Sequence, residues 1–154
     1  DASCQMKVAV AVDGIKPIEG HIYVAPGDRH MLLARENSDY RIRLSDHDRV
    51  NRHRPSVDEL FRSVANHAGQ NATGVLLTGM GIDGAAGMAQ IRRSGGWTIA
   101  QDEASSVVFG MPRAAIENGA AARVISLDHI PSELVNYFVT ESGVNQRDAR
   151  KESV

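Results

Sequence analysis

One carboxylate stands out by its setting. Asp83 lies in the run GMGIDG, residues 79–84, directly after the apolar segment TGVLLT, residues 73–78. An acid at the end of a buried strand and the mouth of a helix has three uses. As a helix cap it accepts N–H groups that the first turn leaves free, a contribution of roughly 1 kcal/mol. As part of a dinucleotide loop it belongs to a literal GxGxxG, with Asp102 and Glu103 placed for a ribose, about 20 residues on. Two features disfavour that use. A carboxylate inside the loop repels a pyrophosphate at the helix N-terminus, and the motif comes midway along the chain rather than in its first βαβ unit. As a catalytic acid it faces the crevice at the carboxyl ends of the sheet strands. There it can hold a histidine in one tautomer and stabilise its charged form, while the histidine activates a serine.

The other reactive side chains are dispersed. His21, His30, His47, His53, His67 and His129 are scattered, and no Cys/His pair has metal-site spacing. The basic run RVNRHRP, residues 49–55, is either a solvated loop or a patch that grips acid groups, since arginine forks bind carboxylates in bidentate fashion. Both readings stay open.

The elements that must position Asp83 alternate. Residues 7–12 form a short apolar run closed by the turn signal Asp13-Gly14. Segments 21–25, 30–35 and 40–44 read as short strands, taken as antiparallel neighbours in an appendage near residues 21–44. Residues 56–68 carry the clearest helical spacing, with Val57, Leu60, Phe61, Val64, Ala65 and Ala68 on one face. Ser56 and Glu59 have the spacing of a capping box, and Gly69 ends the helix. Residues 73–78 suit a strand covered on both faces. A helix at 85–93, a strand at 97–100, a helix opened by Pro112, a strand at 124–127 and a helix opened by Pro131 complete the order. This alternation predicts an α/β fold: a mainly parallel sheet flanked by helices on both faces, Rossmann-like and three-layered, with the small antiparallel appendage.

Composition sets outer bounds. With 154 residues, one domain is expected, over 1–139, followed by a polar, fraying tail over 140–154. A net charge of −2 gives no support for nucleic-acid binding. No apolar run has the length of a membrane span, and the single Cys4 cannot form an internal disulfide, as suits a reducing cytoplasm.

Several long stretches carry a family likeness. LLTGMGIDGAAGM followed by TIAQDEASSVVFGMPRAAIENGAA, and upstream GHIYVAPGDRHMLL and VNRHRPSVDELFRSVA, resemble the C-terminal half of the CheB-type protein-glutamate methylesterases of bacterial chemotaxis. The likeness runs from about residue 8 to residue 135. It implies a parallel α/β domain with a Ser-His-Asp triad and neither metal nor cofactor. Such enzymes hydrolyse methyl esters of glutamates on the cytoplasmic helices of chemoreceptors, and some deamidate receptor glutamines. The family motif GMGxDG places the catalytic acid at Asp83. Met80 matches a position bordering the substrate cleft.

The likeness also breaks. The family nucleophile sits in an ASTGG motif and the family histidine in a QH motif, and neither string occurs here. Ser105 and Ser106 match a loop without the nucleophile, and Ser56 is explained as a helix cap. His30 and His53 match their own family segments, DRH and NRHRP. The expectation is therefore a fragment holding one triad member, inactive alone and without the response-regulator domain that usually precedes it. A missing strand and helix would expose apolar surface and favour a homodimer. The alternative is a non-catalytic receptor-binding or regulatory module.

Overall fold

The computed structural model describes the backbone of residues 5–149 and the side chains of residues 5–139. Cys4 and the last five tail residues lie outside the described residues. In chain order the elements are β1 (Lys7–Val10), β2 (His21–Val24), β3 (His30–Glu36), β4 (Asp39–Ser45), α1 (Val57–Ala68), β5 (Thr73–Leu76), α2 (Ala85–Arg93), β6 (Trp97–Gln101), α3 (Met111–Glu117), β7 (Arg123–Ile125) and α4 (Ile130–Ala149). Single 3₁₀ turns stand at Gly69–Asn71 and Leu127–His129.

Apolar strands joined by helices give a parallel sheet, because a helical crossover returns the chain to the same end. The order is β5-β6-β7, all parallel, with α2 and α3 both packed against β5 and β6. The core beneath them holds Leu76, Ala85, Met88, Ala115 and Ala120. A second cluster of Ala65, Ala72 and Ile91 joins α1 to it. Met88, Ile91 and Ile99 are fully buried, each contributing roughly 1.5–3 kcal/mol by removal from water.

The apolar face of α1 lies against β3 and α2. Ser63 Oγ accepts the Leu33 N–H at 2.8 Å, fixing the helix to β3. The α1–α2 approach is close enough to require glycine. A Cβ on Gly87 would stand 2.6 Å from Phe61 Cβ and 2.9 Å from the Asp58 carbonyl oxygen.

Among the named strands of the described residues, antiparallel pairing joins β3 and β4 alone, in a register that sets Met31 opposite Leu44 and Leu33 opposite Ile42. The expected grouping of 21–25 with these strands is corrected: β2 pairs in parallel with β1, Lys7 opposite His21 and Val10 opposite Val24. The β1–β2 pair leaves Val8, Val10, Ile22 and Val24 exposed. At the far end, α4 carries helix through Ala149, into the segment set apart by composition as a polar tail. The Trp97 ring stacks on Tyr137 of α4 with centroids 4.1 Å apart.

Candidate active site

After β5 the chain enters the glycine turn. Gly79 pairs with Phe109 as an isolated parallel bridge, and its carbonyl accepts the N–H groups of Gly110 and Met111 at 3.1 and 2.9 Å. This ties the turn to the loop after β6. Gln101 braces the same junction from below. It is fully buried, its Oε1 accepting the Thr78 N–H at 2.8 Å and its Nε2 donating to the Ser105 carbonyl at 2.7 Å.

Asp83 is buried at the end of this turn, 5% exposed, and its carboxylate points at α1. Oδ1 accepts Asn51 Nδ2 at 2.8 Å, Ser56 Oγ at 2.7 Å and the Asp58 N–H at 3.2 Å. Oδ2 accepts the Val57 N–H at 2.7 Å. Burial pushes its pKa up, but the hydrogen bonds from Asn51, Ser56, Val57 and Asp58 outweigh that and hold the carboxyl below its ordinary value. The group is therefore ionised at neutral pH, inside the protein and without a cationic partner among its hydrogen-bond donors.

Two capping expectations are corrected by this geometry. Asp83 does not cap the helix that follows it: the N-cap of α2 is Gly84, a left-handed residue with φ 91°, and the helix has no side-chain cap. A Cβ on Gly84 would stand 2.8 Å from Leu76 and Val57 side-chain atoms, so glycine is needed there for space as well. The carboxylate instead caps the first turn of α1. Ser56 occupies the N-cap position of α1 but makes no side-chain cap bond, because its hydroxyl goes to Asp83. Glu59 does not close a capping box either. It bonds Arg62 at 2.9 Å and lies 3.1 Å from His47 Nε2.

Around Asp83 stands a network that sequence patterns did not single out. Asn51 spans two buried carboxylates, donating to Asp58 Oδ2 at 2.7 Å as well as to Asp83. Asp58 Oδ1 accepts the Gly87 N–H at 2.7 Å, joining α1 to α2. His30 is fully buried, its Nδ1 accepting the Ser56 N–H at 3.3 Å and its Nε2 facing the Asp48 carbonyl at 3.1 Å. That pairing sets the proton on Nε2. The His30 ring stacks on His47 with centroids 4.2 Å apart. No histidine is a hydrogen-bond partner of Asp83 among the described residues.

Met80, three residues before Asp83, is 81% exposed, and Ile82 is 64% exposed. Val107 and Val108 of the neighbouring loop are exposed as well. Ser105 is occupied structurally. Its hydroxyl donates to Asp102 Oδ1 at 2.7 Å and accepts the Leu127 N–H at 3.0 Å. Hydrogen bonds from the Ser105 hydroxyl and amide hold the Asp102 carboxyl below its ordinary value. Ser106 donates to the Asp102 carbonyl. Among the described residues no group of three metal-ligating side chains stands together, and no helix is long and apolar enough to cross a membrane.

The structure thus presents a parallel α/β unit with a buried aspartate, held by four hydrogen bonds, in the turn that follows β5. Residues 1–134 match the family model described as CheB methylesterase. The protein-glutamate methylesterase/protein-glutamine glutaminase of Salmonella typhimurium (strain LT2) is 56% identical over 132 residues, covering 86% of this chain and 38% of that protein. The identically named protein of Escherichia coli O157:H7 matches to the same extent, 56% over 132 residues with 86% and 38% covered. The crystal structure of the Thermotoga maritima CheB methylesterase catalytic domain superposes with a TM-score of 0.86 at 36% identity, covering 89% of this chain and 72% of that one. The chain belongs to the CheB methylesterase family, and it spans 38% of the length of the curated relatives it matches.

Proposed function

We propose that this chain is the acid-bearing part of a serine-type protein-glutamate methylesterase. The observation that carries the reading is Asp83: ionised, buried and held by four hydrogen bonds in the glycine turn after β5, in a chain of this family. In the assembled enzyme Asp83 accepts an N–H from the triad histidine and stabilises its imidazolium form. The histidine takes the serine proton as the serine attacks the carbonyl carbon of a glutamyl methyl ester. Methanol leaves with the returned proton, and water cleaves the acyl-enzyme to free the glutamate. Attack on a glutamine side chain by the same route releases ammonia.

The exposed Met80 borders the cleft that receives the substrate side chain. The substrates are the cytoplasmic helices of methyl-accepting chemoreceptors, and a response-regulator domain accompanies the catalytic domain in the intact cytoplasmic protein. This sequence contains neither an ASTGG nor a QH string, so the serine and histidine come from sequence not in this chain. The exposed valines of β1 and β2 favour self-association of the isolated chain.

Methanol release from methylated receptor tests the reading. The chain alone is expected to release none. Joined to a segment carrying the serine and histidine motifs, it is expected to act, and Asp83→Asn in that protein to lower kcat on the order of 10⁴-fold. Activity of the chain alone that disappears on mutating Ser105 or Ser106 would overturn it.

A further inference from the structure

The basic loop before α1 has a use that does not involve its arginines. Asn51 and Arg52 both adopt positive φ, 51° and 68°. Val50 and His53 close around them with two backbone hydrogen bonds, 3.1 and 2.8 Å. Two consecutive left-handed residues have the sign pattern of a type I′ turn, and a non-glycine residue such as Arg52 in that region costs roughly 1–2 kcal/mol. Strain of this kind persists where surrounding contacts hold it. Here the contacts are those of Asn51, whose amide enters between Asp58 and Asp83.

An ionised carboxylate offers about four lone-pair sites, two on each oxygen. Oδ1 of Asp83 receives three donors, whereas Oδ2 receives one. We propose that Asn51 and Ser56 are positioning residues for Asp83: by filling Oδ1 they fix the carboxylate so that Oδ2 is the oxygen presented to the triad histidine. This rests on the reading of Asp83 as the triad acid. Asparagine suits the position because its neutral amide gives one N–H to each of two buried acids. An aspartate would add a third negative charge, and an alanine would leave both acids short of a donor. Ser56 supplies its hydroxyl to Asp83 while its own N–H is taken by His30 Nδ1, so the serine is held at both ends.

The test is a carbon-13 NMR titration of the Asp83 side chain in the full chain, comparing the parent with Asn51→Ala, Ser56→Ala and Ser56→Thr. The charged and titratable groups facing it are Asp58 on α1, with Arg62 3.9 Å from that carboxylate, and His30 of β3, which reaches it through Ser56. All three are followed in the same spectra. Asn51→Ala and Ser56→Ala are expected to raise the Asp83 midpoint, and Ser56→Thr, which keeps the hydroxyl, to restore it. A contact that only packs, without donating to the carboxylate, would lower thermal stability and leave the midpoint in place.

An unmoved midpoint in folded Asn51→Ala and Ser56→Ala overturns the proposal. If Asn51→Ala fails to fold, the Ser56 pair decides alone. The readout needs no esterase activity. An unmoved midpoint therefore leaves Asp83 standing as the acid, whereas full activity of an Asp83→Asn enzyme removes the acid and leaves these hydrogen bonds as they are.

Discussion

Val57 gives its backbone N–H to Oδ2 of Asp83 across 26 residues of sequence. The first turn of α1 is thus capped by a carboxylate from the β5–α2 turn, and the charge complements the positive end of the α1 dipole.

Stability should therefore depend on acid pH in a defined direction. The folded pKa of Asp83 lies below its ordinary value. Its contribution is complete above the unfolded value of about 3.9 and is lost as pH falls through the folded value. Asp83→Asn is expected to cost about 1.5–3 kcal/mol at neutral pH, the range for hydrogen bonds to a charged group. Urea denaturation of both proteins from neutral to acid pH should show the difference narrowing at the acid end.

Gly87→Ala tests the α1–α2 approach. The added Cβ meets Phe61 Cβ and the Asp58 backbone at under 3 Å, and backbone cannot swing aside as a long side chain can. Overpacking of this kind costs about 1–3 kcal/mol. It also lengthens the bond from the Gly87 N–H to Asp58. Denaturation midpoints and faster hydrogen exchange at Gly87 are the measurements.

Gln101→Ala tests the brace under the glycine turn. It strips a partner from the Thr78 N–H and from the Ser105 carbonyl. A buried group left without its partner costs about 1–3 kcal/mol. Exchange protection is expected to fall at Thr78, while the β3–β4 hairpin, which shares no hydrogen bond with Gln101, keeps its own.

Val10→Lys tests the apolar β1–β2 surface. Val10 is 62% exposed at the end of a strand exposed along its length. A charge there disfavours burial against another copy. Light scattering is expected to give an associated species for the parent chain and a smaller mass for the variant. A parent that remains monomeric at high concentration would remove this expectation.

Local patterns read much of this molecule correctly. The apolar run before the glycine turn and the helical spacing of residues 56–68 became β5 and α1, because burial of one face leaves a periodic trace in sequence. Orientation was harder. The run from residue 11 to residue 20 contains no helix, yet it returns the chain parallel, so nothing local distinguished β2 from the antiparallel strands after it. The Ser56–Glu59 spacing matched a capping box, but a stronger acceptor from another part of the chain took the cap. Asn51 was hidden by its neighbours. Amid three arginines and a histidine in residues 49–55 (RVNRHRP), the neutral residue makes the contact to the candidate acid, and a bond between residues 32 apart has no periodicity to announce it.

The Trp97–Tyr137 stack has a practical consequence. Trp97 is the only indole in the chain, and its ring stacks on Tyr137 of α4. Its fluorescence therefore reports the docking of the C-terminal helix at the start of β6. Undocking that precedes global unfolding would change the emission while far-ultraviolet ellipticity still read a native sheet. The chain thus carries a native optical probe of its last helix, remote from Asp83 in sequence and free of any introduced label.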